Sequence, residues 1–186
     1  MMPDPPAPRK LRADVQRNRD QIVSQTALLF AREGGEVPME TIAEHARVGV
    51  GTLYRHFPDR PALTLAVAEH LYGQIADVLQ EAADREPDPW QALTLMIRTW
   101  VQRRLAVRKP LDRWLLEAQQ GSAPLTELHH RIVDVLGSTV AAAQASGAMR
   151  PDVTFQDVIR LVGLLALADQ GAGILVEIMI DGLRAR

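Results

Sequence analysis

The stretch Thr41–Arg60, TIAEHARVGVGTLYRHFPDR, constrains this chain more than any other. Ile42, Ala43 and Ala46 make the buried face of one short helix, about Met39–Ala46, and Leu53 and Phe57, four apart, make that of a second, about Val50–His56. The residues between them, Arg47 and Val48 foremost, leave room only for a tight turn, and Pro58 stops the second helix. Two such short helices need a third to complete a core. An amphipathic stretch from about Arg12 to Glu33 supplies it, with Val15, Ile22, Val23, Ala27 and Phe30 on one stripe. Gly34-Gly35 ends that helix, and Pro38 suits the first helical position of the next.

The rest of the chain also reads as helix, with no sustained period-two alternation. Asp59 is a good N-cap for a helix running to about Ala83. After a break at Arg85–Pro89, further helices are expected over Trp90–Lys109, Leu111–Gln120, Leu125–Ser146, Phe155–Asp169 and Ala172–Arg184, separated by glycines and prolines. The expected fold class is all-α, about nine helices in all. A disordered tail, 1–8, precedes a three-helix domain, 9–58, whose helix-turn-helix covers about 38–57, and a helical bundle, 59–186. The boundary falls inside the fourth helix or at the break that follows it.

Composition excludes several function classes. With no cysteine, disulfides, thiol catalysis and Cys-ligated metals are ruled out. The N-terminus lacks the apolar core of a signal peptide, and Leu161–Val176 is shorter than a membrane span and carries Asp169. No Ser-His-Asp set, P-loop or glycine fingerprint is present, so the chain is read as neither an enzyme nor a cofactor carrier. His129 and His130 are adjacent, point about 100° apart on a helix, and have no third ligand at suitable spacing, so no metal site is expected. The net charge of −2 hides an asymmetry: residues 9–19 carry Arg9, Lys10, Arg12, Arg17 and Arg19 against the single acid Asp14. Such an arm matters more for phosphate binding than the whole-chain sum, although a charge run is often only a solvated helix start.

Reading a duplex requires one helix to enter the major groove while a preceding helix braces it across the backbone. The segment 41–60 supplies that arrangement. Gly49 and Gly51 let the backbone approach phosphate, Thr52 and Tyr54 offer hydroxyls, Arg55 and His56 add donors, and Arg60 stands where it could clamp a flanking phosphate. Leu53 and Phe57 face the core. The pieces Ile42-Ala43, Ala46, Val48, Gly51-Thr52-Leu53-Tyr54, His56-Phe57-Pro58, Arg60 and Leu63 together resemble the N-terminal domain of the TetR family of bacterial transcriptional regulators. The match covers about residues 12–75; beyond it only the number and length of helices agree.

That resemblance implies a cytoplasmic homodimer on near-palindromic, double-stranded operator DNA, acting as a repressor released by a small-molecule effector. It places phosphate contacts at Thr41, Gly49, Thr52, Tyr54, His56 and Arg60, and base contacts at Val50 and Arg55, with Thr52 able to do either. The alternative is a module of the same fold, binding effectors or proteins, that has lost its operator. Two positions depart from the family pattern. Arg47 stands where glycine is usual, which calls for a left-handed residue or a different turn. Gly49 stands where a hydroxyl usually caps the helix. The resemblance also implies an effector pocket walled by helices between Leu63 and Ser146. His70, Met96, Trp100, Trp114, Leu115, His129 and Ile132 are candidates to line it, the plain alternative being core. The last two helices, through Phe155, Val158, Ile159, Val162, Leu165, Ala166, Ile174 and Ile178, are candidates for the dimer interface, the alternative again being the monomer's own core.

Overall fold

The structure, a computed structural model, describes residues 8–102, 122–166 and 172–185. Eight helices are described: α1 Pro8–Glu33, α2 Met39–His45, α3 Val50–His56, α4 Arg60–Arg85, α5 Pro89–Gln102, α6 Ala123–Ala145, α7 Phe155–Ala166 and α8 Ala172–Leu183. The helix expected over Leu111–Gln120 lies outside the described residues. The chain divides into two compact units between His70 and Leu71, inside α4.

In the first unit α1 buries Ile22, Val23, Thr26, Ala27, Leu29 and Phe30, a stripe at three- and four-residue steps. The Thr26 hydroxyl donates to the Ile22 carbonyl at 2.7 Å, so this polar group is satisfied within its own helix. Gly34, at φ 90°, ends α1, its amide donating to the Phe30 carbonyl at 2.9 Å. Ile42 and Ala43 from α2, Ala46 after it, Leu53 from α3 and Phe57 just beyond are all buried. Pro38 is the N-cap residue of α2, one position before the place expected for it. Asp59 caps α4 as expected, its carboxylate accepting from the Ala62 amide at 2.8 Å.

The second unit has one apolar core, in which Leu79, Leu93, Met96, Ile97, Leu136, Val158 and Val162 are fully buried or nearly so. Its helix starts carry side-chain caps. Asp88 accepts from the Gln91 amide at 2.8 Å, and Ser122 accepts from the Leu125 amide. Thr154 and Asp157 form a reciprocal capping box ahead of α7, in which the Thr154 hydroxyl and amide donate to the carboxylate and the Asp157 amide donates back to the Thr154 hydroxyl. The Thr154 hydrogen bonds hold the Asp157 carboxyl below the usual range. Gly147, at φ 75°, closes α6. Residues 148–150 then pair with residues 183–185 through one antiparallel bridge, Met149 to Arg184, with the Arg150 amide donating to the Leu183 carbonyl and the Ala185 amide to that of Ala148. Arg98 of α5 grips Glu177 of α8 with two hydrogen bonds, at 2.9 and 2.8 Å.

Within one chain, α7 is buried on one side only. Val158 and Val162 are inside, whereas Leu161 and Leu164 are exposed. A 12-residue helix against one core can bury only one stripe, so its remaining apolar residues face outward.

Candidate nucleic-acid interface

The turn between α2 and α3 is built by local hydrogen bonds: the Arg47 amide donates to the Glu44 carbonyl at 3.0 Å and the Val48 amide to that of Ala43 at 2.9 Å. Closing it puts Arg47 at φ 57°, the left-handed conformation that was one of the two outcomes open at this position. Gly49 then serves as the N-cap of α3 at φ −67° and ψ 144°, with no side chain to bond an amide. Its carbonyl accepts from the Thr52 and Leu53 amides at 2.8 and 3.0 Å. The glycine is not imposed by backbone geometry, since any residue adopts those angles.

Helix α3 is sharply two-sided. Leu53 and Phe57 are sealed in the core and fix its rotation. Gly49, Val50, Gly51, Tyr54 and Arg55 are exposed on the other side, with Val50 and Tyr54 one turn apart at 39% and 42% exposure. Thr52 and His56 are half-buried at the margins, and Thr41 is exposed on α2. The Arg55 Nε–H reaches back to the Gly51 carbonyl at 3.3 Å, which leaves the terminal nitrogens of its guanidinium outward. An exposed valine beside a phenol and a guanidinium is the mixture that a groove of base edges, thymine methyls and phosphates can engage.

Arg60 has partners within its own unit. Its guanidinium donates to the carbonyls of Gly35, at 2.7 Å, and Val37. The long side chain folds back over the turn between α1 and α2 and satisfies two carbonyls there, because that turn makes no ladder that could use them. Arg60 is therefore a tie between the start of α4 and that turn, using two of its five N–H groups there. Another arginine stands near the recognition helix. Arg19 of α1 lies with its guanidinium carbon 5.1 Å from the Phe57 ring centroid. Gln21, two residues on, donates to the Ala46 carbonyl at 3.3 Å and fastens this part of α1 to the end of α2. The sequence marked Arg19 only as one charge of a basic arm.

The pocket candidates do not form one group. Met96, Trp100 and Ile132 share the core of the second unit, His129 is exposed on α6, and His70 is half-buried at the end of the first unit. Trp114 and Leu115 lie outside the described residues. A cleft of about 440 Å³ opens elsewhere in the second unit, lined by Val78, Ala82, Leu95 and Thr99 with Glu81, Asp84 and Arg85 at its polar side. No local motif marked it, because its walls come from two helices, α4 and α5.

Of the interface candidates, Ile174 and Ile178 are 69% and 61% exposed, and Phe155, Ile159 and Leu165 are half-buried. Val158 and Val162 have no surface left to give a partner and belong to the monomer's core. Ala166 ends α7, and its side chain lies outside the described residues. Leu161, Leu164 and Leu175 are exposed as well and extend the apolar face; for Leu161 and Leu175, a spacing of three or four from named residues was a signal available in the sequence. Among the described residues, no helix is long and apolar enough to cross a membrane.

A short bracing helix, a left-handed turn and a two-sided helix with a polar outer face define a helix-turn-helix unit. Comparison with known proteins agrees. Residues 22–67 match the family described as bacterial regulatory proteins, tetR family, and residues 88–185 match the C-terminal domain described as transcriptional regulator SbtR-like. The chain belongs to the TetR family. Over 148 residues, 77% of this chain, it is 26% identical to the HTH-type transcriptional repressor KstR of Mycobacterium tuberculosis and spans 66% of that protein's length. A TetR transcription regulatory protein from Mycobacterium vanbaalenii is 33% identical, with 94% of this chain and 99% of that one covered and a TM-score of 0.64. The ketosteroid transcriptional regulator KstR2 of Mycobacterium tuberculosis shares the fold at a TM-score of 0.65, with 14% identity over 90% of this chain and 95% of that one.

Proposed function

We propose that the chain is a transcriptional repressor that binds a near-palindromic operator as a homodimer in the cytoplasm and leaves it when a small molecule binds the second unit. The observation that carries this reading is the two-sidedness of α3, with Leu53 and Phe57 locked inside while Val50, Tyr54 and Arg55 point out. In this reading Thr41, Gly49, Thr52, Tyr54 and His56 hold the DNA backbone, and Val50 and Arg55 read base edges. The repressors among its relatives support the direction of control.

Two recognition helices must sit about one DNA turn apart, roughly 34–36 Å, to enter successive major grooves. The exposed apolar residues of α7 and α8 supply a surface through which two chains pair. An effector that favoured a different spacing would release the DNA. Shifting such an equilibrium from about 1:99 to 99:1 takes roughly 5.5 kcal/mol of differential affinity. The core around Met96, Trp100 and Ile132 is where such a molecule would lodge.

The test is operator binding by anisotropy, using duplexes that the wild-type protein selects from a random library. Tyr54→Phe should weaken binding evenly across sequences. Arg55→Ala should relax preference at particular base pairs, each worth about 1–3 kcal/mol. Selection of no duplex by the wild type would overturn the reading.

A further inference from the structure

The charged groups of the first unit divide by what already engages them. Arg60 is occupied by two carbonyls. Asp20, next in sequence to Arg19, accepts from the Gln16 amide group at 2.7 Å and so is engaged along α1. Arg19 has a different neighbour: it lies half-buried with its guanidinium over the Phe57 ring, and among the described residues no carboxylate pairs with it. Stacking on an aromatic face uses the guanidinium's π surface and leaves its N–H groups, which lie in its plane, available at the edges. Phe57 is itself immobile, 1% exposed at the end of α3, and the stretch of α1 that bears Arg19 is fastened to the end of α2 through Gln21. The donor fork is thus held beside the end of the recognition helix that also bears Arg55 and His56, with His56 packed at 6.3 Å, ring centroid to centroid, against the same phenylalanine.

We propose that Arg19 is a phosphate ligand, a rigid donor fork that binds the operator backbone at the C-terminal end of α3. The proposal rests on the DNA-binding reading above. A planar fork matches phosphate oxygens bidentately, and a side chain already ordered by stacking loses little further freedom on binding.

Each neutralised phosphate adds about 0.9 to the slope of log affinity against log salt. The slope is therefore a readout that a purely structural role would not move. It is measured with a mixed-sequence duplex of about 30 base pairs for the wild type, Arg19→Gln, Arg19→Met and Arg60→Gln, with thermal unfolding alongside. Arg19→Met keeps an apolar stem against Phe57 and serves if Arg19→Gln fails to fold. The slope should fall by about 0.9 in the Arg19 variants, so that between about 50 and 200 mM salt the wild type loses about 3.5-fold more affinity than they do. In Arg60→Gln the slope should stay at the wild-type value while the unfolding temperature drops. Unchanged slopes in the folded Arg19 variants, with the wild type binding normally, would overturn the phosphate role alone. A wild type that binds no duplex would overturn the DNA-binding reading and this proposal with it.

Discussion

Replacing Arg47 by glycine should stabilise the protein. Arg47 is held at φ 57° by the closing bonds of the turn, and its side chain is exposed. A residue with a Cβ in the left-handed region costs about 1–2 kcal/mol, from the Cβ crowding the following carbonyl. Glycine removes that crowding but gives the unfolded chain more freedom, which takes back about 0.5–1 kcal/mol. The neighbours that carry the packing, buried Ala46 and half-buried Val48, are untouched. The net gain is about 0.5–1 kcal/mol, which for a chain of this length raises the unfolding midpoint by about 1–4 °C. The assay is far-UV circular dichroism in heat and urea at fixed protein concentration, since pairing of chains would otherwise shift the midpoint. Arg47→Ala is the control: it removes the same side chain but keeps the Cβ, and should change stability by less than about 0.5 kcal/mol. If the glycine and alanine variants behave alike, the strain assigned to Arg47 is not there.

Three other outcomes follow from geometry. Gly49→Ser restores a hydroxyl cap at a backbone already suited to it, where an added Cβ meets only the Thr52 hydroxyl at 3.9 Å; the unfolding midpoint should rise by about 1 °C, and a fall would refute the cap argument. The hydrogen bond from Arg98 holds the Glu177 carboxyl below its usual range, so the pair's contribution is present above the unfolded glutamate value of about 4.3 and fades as pH falls through the lower folded value. The difference in unfolding temperature between wild type and Glu177→Gln should therefore shrink as the pH is taken below about 4, and a gap constant across that range would show that charge plays no part. Leu164→Glu combined with Ile178→Glu places two carboxylates on the exposed apolar face and should leave a folded monomer in analytical ultracentrifugation; a dimer of unchanged affinity would mean that pairing uses another surface.

The parts of the fold legible in the sequence are those set by local chemistry. The bounds of α3 and the Asp59 cap follow from residues within four positions of one another, whereas the left-handed Arg47 was only one of two turns that an arginine there left open. The packing partners of Arg60 and Arg19 were hidden for the opposite reason. Arg60 meets carbonyls 25 and 23 residues away, and Arg19 meets a ring 38 positions on, and a long, flexible side chain carries no signal of such partners. A helix as apolar as α7 presents a related ambiguity. Periodicity says that its residues want burial, but only the packed chain separates Val158 and Val162, covered by their own chain, from Leu161 and Leu164, left uncovered.

The placement of the aromatic side chains gives the protein a built-in optical division. Trp90 and Trp100 are packed in the core of the second unit, and the remaining tryptophan, Trp114, also falls after residue 70. The first unit has no tryptophan, and its one tyrosine is Tyr54, on the exposed face of α3. Light absorbed by indole alone therefore reports on the second unit, free of signal from the helix-turn-helix. A small molecule entering the core around Trp100 should shift that emission in protein without DNA, so candidate effectors can be screened before any operator is known.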